Sequence, residues 1–124
     1  TLGRFGEEIG VAFQLRDDVL DVRSAQQETG RSTVLDLRHR RVNYPLVYGL
    51  EASSPEARSE AIKSLGRDDI EPSLKLIRDT GAVEEAIRLA KEHAGRAKQQ
   101  IAGAGLTNEA TLFALADFVV ERLL

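Results

Sequence analysis

The sequence predicts an all-α protein, a bundle of helices. Three observations carry that expectation. Apolar residues recur at alternating three- and four-residue spacing along most of the chain, which is the period of an amphipathic helix. The prolines Pro45, Pro55 and Pro72 each stand near a residue suited to open a helix, and glycines follow the expected helix ends. No stretch alternates apolar and polar residues as a half-buried strand does.

The first helix is expected from about Leu2 to Val22. Leu2, Phe5, Ile9, Ala12, Phe13 and Leu20 fall on one stripe at about 100° per residue. Gly10, Gln14, Asp17, Asp18 and Asp21 fall on another, with Val11, Leu15 and Val19 beyond it. A polar segment from Arg23 to Val34 follows, with Gly30 as its turn residue. Asn43 reads as an N-cap with Pro45 just inside a short helix through Tyr48 and Leu50. Ser53-Ser54-Pro55 opens a further helix that ends near Leu65-Gly66. Asp68 or Asp69 starts the next, and Thr80-Gly81 closes it. Val83, Ala86, Ile87, Ala90, Ala94, Ala97 and Ile101 mark a long helix whose alanine-rich face implies close packing. Gly103-Ala104-Gly105 ends it. Thr107 starts the last helix, whose core face is Leu112, Phe113, Ala116, Val119, Val120 and Leu123.

The composition narrows the function classes. Apolar residues are 42% and charged residues 30% of 124, enough to bury one core and unlike a disordered tail. Cysteine is absent, which removes disulfides, thiolate metal sites and thiol nucleophiles. It fits a reducing, cytoplasmic setting. The net charge of −3 gives no electrostatic case for nucleic acid. No apolar run approaches the roughly 20 residues of a transmembrane helix, and no signal peptide opens the chain. One basic cluster stands out, Arg38-His39-Arg40-Arg41. Thr1 enters a helical pattern at once, so the chain reads as a piece of, or a partner to, something longer.

Asp17, Asp18 and Asp21 are the main chemical signal. On a helix, positions i, i+1 and i+4 bring carboxylates to one side. Like charges that close repel, and hard divalent cations relieve them. Mg²⁺ in particular takes one or two carboxylates together with waters and substrate phosphates. Gln14 lies one turn earlier and could hydrogen-bond a ligand. The bland alternative is a solvated acidic face paired with arginines. It is weakened by the apolar residues on both flanks of the stripe, since a solvated face is normally wider and bordered by charge.

The run Gly10-Val11-Ala12-Phe13-Gln14-Leu15-Arg16-Asp17-Asp18-Val19-Leu20-Asp21 resembles the second aspartate-rich motif of the polyprenyl synthetases, usually GxAFQxxDDxLD. Gly30-Arg31 lies where that family has Gly-Lys, and Asp36-Leu37 where it has Asp-Leu. Arg40-Arg41-Val42-Asn43-Tyr44-Pro45-Leu46 lies where it has Gly-Lys-x-Thr-x-Pro-hydrophobic. Leu115 to Arg122 is similar to its closing helix. The resemblance spans essentially residues 1–124 and implies the C-terminal part of the isoprenoid synthase fold. By resemblance, Asp17 is the main ligand to Mg²⁺, and Asp18 and Asp21 support the metal shell through waters and nearby basic groups. Gln14 faces the allylic tail or the diphosphate pocket, Arg31 contacts the allylic diphosphate, Arg41 lies at the mouth of the same site, and Asp36 holds a basic group or a metal-bound water. Arg31 and Arg41 keep the charge of the family lysines but replace a compact point charge by a planar fork. Arg40 replaces a glycine and Asn43 a threonine.

The implied activity is Mg²⁺-dependent condensation of an allylic diphosphate with isopentenyl diphosphate to a longer trans-polyprenyl diphosphate. The family carries its first aspartate-rich motif on an earlier helix, and residues 1–124 hold no second candidate. Asp68-Asp69 reads as a helix start, where acids suit the dipole. The isolated chain is therefore expected to be inactive, and to need an N-terminal part or a second chain. The complete enzyme is expected to be a homodimer. The alternatives are a terpene cyclase of the same fold and a non-catalytic partner subunit. The Asp-Leu to Arg-Arg to Pro order after Asp21 favours elongation over cyclisation, and the intact aspartates argue against a regulatory subunit. His39 and His93 have no partner at metal-ligand spacing, and His93 is expected to be solvated. Tyr44 and Tyr48, at i and i+4, are expected to pack.

Overall fold

A computed structural model describes residues 1–27 and 43–123. Among these the chain forms helices and no strand: α1 (Leu2–Gln27), α2 (Tyr44–Ala52), α3 (Pro55–Gly66), α4 (Glu71–Thr80), α5 (Ala82–Ile101) and α6 (Glu109–Glu121). They fall into two compact units, residues 1–17 with 87–124, and residues 18–86. The division lies within α1, between Asp17 and Asp18, and within α5, between Ala86 and Ile87.

The first unit has a core of Phe5, Ile9 and Ala12 from α1, Ala94, Ala97 and Ile101 from α5, and Ala116 and Val119 from α6. Phe13, Leu106, Leu112, Phe113 and Val120 pack around it, half-buried. Ile101 is fully buried, and such a side chain stabilises the fold by roughly 1.5–3 kcal/mol. Leu2, expected on the core stripe, is 51% exposed, because it is the first residue of the helix.

In the second unit α2 packs on α3 and α4, and α3 packs on α4. Leu74, Leu76 and Ile77 of α4 are buried, with Ala61 of α3 and Pro45 of α2. Gly49 is also buried. A Cβ built there would lie 3.5 Å from both Ile77 Cα and Thr80 Oγ1, so α2 and α4 approach closely at this point.

The helix starts read from Pro45 and Pro55 hold. Asn43 Oδ1 accepts from the Leu46 amide at 2.9 Å, and Ser54 Oγ accepts from the Ala57 amide at 3.2 Å. The Arg58 side chain adds donors to the end of α2, bonding Leu50 O at 2.7 Å and Ser53 O at 3.3 Å. Gly81, at φ 69°, closes α4, as its sequence position predicted. The breaker at 103–105 also holds, with Gly103 and Gly105 both at positive φ.

Three boundaries differ from the sequence reading. α1 runs on to Gln27 rather than Val22, because Val22 and Ala25 continue the buried row begun by Val19. α6 begins at Glu109 rather than Thr107, since half-buried Leu106 first packs against the core. α4 begins at Glu71 rather than at Asp68 or Asp69. Asp68 and Asp69 instead close α3. The Asp68 amide bonds Leu65 O at 3.1 Å and the Asp69 amide bonds Ser64 O at 2.9 Å, the paired pattern of a Schellman end. Asp68 takes the left-handed conformation at φ 61°, a place more often held by glycine. Asp69 then serves α4 too, its Oδ1 accepting from the Glu71 amide at 3.1 Å.

Candidate functional site

The acidic turn of α1 places its carboxylates in different surroundings. Asp17 has a side chain 49% exposed, with Oδ1 3.8 Å from Arg16 Nη2. Asp18 is 7% exposed, and its Oδ2 accepts from the Tyr44 amide at 3.0 Å. Asp21 is half-buried and Gln14 exposed. The three aspartates read from sequence as one stripe thus differ in solvent access: α1 turns by about 100° per residue, which takes Asp18 inward while its neighbour Asp17 stays accessible. Arg31, Asp36 and Arg41 lie outside the described residues.

Arg16 escaped the sequence reading. Its side chain is only 16% exposed. The guanidinium lies over the Phe13 ring at 5.0 Å and the Phe118 ring at 5.7 Å from their centroids. Among the described residues no acceptor hydrogen-bonds its buried Nε and Nη1. Stacking on aromatic faces suits a weakly hydrated planar cation. The pair with half-exposed Asp17 is worth at most about 1 kcal/mol, so Arg16 is a nearby counter-charge that leaves the carboxylate accessible. The signal was available in sequence: a basic residue abutting an aspartate pair, with an aromatic one turn before.

The apolar flanks are also unequal. Leu15 and Val19 are buried, whereas Val11 is 43% exposed and Leu20 half-buried. Tyr44 and Tyr48 form the expected packing pair, with ring centroids 6.2 Å apart. His93 departs from expectation: its Nδ1 meets Glu8 Oε2 at 2.5 Å and its side chain is 21% exposed. It ties α5 to α1 within the first unit instead of facing solvent.

Mg²⁺ can be tested against this donor set. Among the described residues no group of three or more His, Cys, Asp or Glu side chains forms a metal cage. Mg²⁺ does not require one, since it commonly uses one or two carboxylates and completes its shell with water and phosphate oxygen. Asp17 offers hard oxygen atoms to solvent, and the set fits that mode. A groove of about 340 Å³, lined by Ser53, Ala57, Pro72, Leu76 and their neighbours, includes none of the α1 aspartates. No helix among the described residues is long and apolar enough to cross a membrane.

Comparison with known proteins gives a consistent answer. Residues 1–78 match the family model for polyprenyl synthetase. A prenyl transferase of Cyanophora paradoxa is 31% identical, covering 98% of this chain and 38% of its own length. A short chain isoprenyl diphosphate synthase of Methanothermobacter thermautotrophicus is 31% identical over 98% of this chain and 39% of its own. A nonaprenyl diphosphate synthase of Mycobacterium tuberculosis is 30% identical over 98% of this chain and 38% of its own. The crystal structure of a polyprenyl synthase from Roseobacter denitrificans superposes with a TM-score of 0.78 at 27% identity, over 96% of this chain and 40% of that one. The chain therefore spans about two fifths of the length of each of these four proteins.

Proposed function

The chain belongs to the polyprenyl synthetase family, and we propose that it supplies the second aspartate-rich helix of a Mg²⁺-dependent prenyltransferase. That enzyme would join an allylic diphosphate to isopentenyl diphosphate, giving a longer trans-polyprenyl diphosphate. The observation that carries this reading is Asp17. It lies in the family's motif, on a helix whose neighbouring residues are buried, and its carboxylate is still half exposed. The names of the relatives run from short-chain to nonaprenyl synthases, which supports the shared elongation chemistry over any one product length.

Bound Mg²⁺ would neutralise charge on the departing diphosphate as the C–O bond ionises. The chain's own residues do the rest. Asp17 would hold the metal through its accessible carboxylate. Asp18 and Asp21 would support the metal shell through its waters and neighbouring basic groups. Gln14 stands one turn before Asp17 and would orient the allylic substrate. Arg31, Asp36 and Arg41 would contact or order the diphosphate. Arg16 keeps fixed positive charge beside Asp17. Exposed Val11 and half-buried Leu20 offer apolar surface next to the charge, suited to a hydrocarbon tail. Positively charged groups aimed at a leaving group act most strongly where water is scarce.

The same reading assigns the first aspartate-rich motif and the isopentenyl diphosphate site to residues outside these 124. It makes the working enzyme a homodimer acting in the cytoplasm. The test is Mg²⁺-dependent binding of an allylic diphosphate to protein carrying Asp17→Ala. Affinity should fall by at least about 10-fold, the cost of losing even an outer-shell partner. Unchanged affinity would overturn the ligand role. Purified 124-residue chain supplied with both substrates and Mg²⁺ should give no condensation, and turnover would refute the need for a further motif.

A further inference from the structure

The start of α2 gives a complete account of its backbone donors. A helix leaves its first amides without intrahelical partners. The Tyr44 amide, the first within α2, donates to Asp18 Oδ2 at 3.0 Å. Pro45, next in line, has no N–H. The Leu46 amide donates to Asn43 Oδ1 at 2.9 Å, and the Val47 amide to Asn43 O at 3.1 Å. α2 carries no acidic residue in its own first turn. Asp18, 26 residues away in sequence, sets an acid at the positive end of its dipole. Asp18 and Asn43 are both buried, at 7% and 5% exposure, so water cannot readily replace either acceptor.

We propose that Asp18 is a positioning residue: through its bond to the Tyr44 amide it ties the acidic turn of α1 to the N-terminus of α2. One carboxylate oxygen of Asp18 is thereby committed to the backbone. Its main contribution to a diphosphate site is then to hold the turn on which Asp17 stands. The requirement at position 18 is for an oxygen acceptor of the right length, which the side-chain carbonyl of asparagine also supplies. The functional half of this statement rests on the metal role proposed for Asp17. The structural half does not.

The test compares Asp18→Asn and Asp18→Ala in the full chain. Hydrogen exchange at the Tyr44 amide is read by NMR without Mg²⁺, and Mg²⁺-dependent affinity for inorganic pyrophosphate is read by calorimetry. Asp18→Ala should lose about fivefold to thirtyfold of Tyr44 protection, as removal of a helix cap does, while Asp18→Asn stays within about threefold of the parent. Pyrophosphate affinity should drop in Asp18→Ala and be rescued in Asp18→Asn. Asp17→Asn should lose affinity with Tyr44 protection intact. Asp18→Asn that exposes the Tyr44 amide would overturn the tie. Asp18→Asn that keeps the amide protected but binds pyrophosphate as poorly as Asp18→Ala would overturn the positioning role in favour of the charge itself. If Asp18→Ala does not fold, Asp18→Asn alone decides between these outcomes. Full pyrophosphate affinity in Asp17→Asn would instead count against the metal reading, and leaves the Tyr44 result standing.

Discussion

Replacing Gly49 by alanine should stabilise the protein. Glycine inside a helix costs about 0.5–1 kcal/mol relative to alanine, through backbone freedom lost on folding. The added methyl would meet Ile77 Cα and Thr80 Oγ1 at 3.5 Å and Ile77 N at 3.6 Å, ordinary contact distances that neither push nor leave a gap. Burial of that methyl adds up to about 0.8 kcal/mol. The expected gain is about 1 kcal/mol, or a rise in Tm of roughly 3–5 °C for a domain of this size. Valine should reverse the sign. Two of its neighbours are atoms of the Ile77 backbone, which cannot swing away as a flexible side chain would, and such overpacking costs about 1–3 kcal/mol. Urea unfolding followed by circular dichroism measures both, with equal slopes as the check that only the folded state changed. A loss of more than about 1 kcal/mol in Gly49→Ala would show that α2 and α4 lie closer than described, and would refute the reasoning.

Two further outcomes follow from the helix ends and the surface charge. Position 68 should rank glycine at or above aspartate, and aspartate above valine by about 1–2 kcal/mol, because the residue there must hold a left-handed backbone. Valine equal to aspartate in urea unfolding would contradict the Schellman end. The hydrogen bond from Lys75, followed by the positive charge of Lys75 and Arg78, holds the Asp79 carboxyl below the usual value of 3.8 against a smaller opposing effect of desolvation. A depressed folded value means that this contribution is present above the unfolded value and is lost as pH falls through the folded one. Lys75→Gln should therefore raise the Asp79 midpoint in a carboxyl-resolved NMR titration, and its stability deficit should vanish in strong acid. An unmoved midpoint would sink the assignment.

What could be read from sequence was governed by distance along the chain. Asn43 with Pro45 and Ser54 with Pro55 each predicted a helix start because the cap and the amide it serves lie three residues apart. The alanine face of α5 and the breaker at 103–105 were legible for the same reason. The family was legible because several short motifs keep a common order, although the aspartates alone would not have sufficed. Asp68 and Asp69 were misread as the start of α4 because acids suit a first helical turn, whereas the backbone uses them to close α3, with Asp68 in the left-handed conformation. The bond between Asp18 and the Tyr44 amide spans 26 residues, and no local rule connects them. The placing of Arg16 against Phe118, and of His93 against Glu8, needed the packed chain as well.

The alanines of α5 carry a consequence for the entropy of folding. Ala82, Ala86, Ala90, Ala94 and Ala97 are all buried. A buried leucine or methionine must surrender rotamer freedom, at about 0.5–2 kcal/mol each, whereas alanine has none to surrender. Alanine is also the residue that gives up least on entering a helix. This row of buried alanines is thus ordered with almost no loss of side-chain freedom. Its contribution to the fold should depend on temperature mainly through solvent and backbone, with little from frozen rotamers.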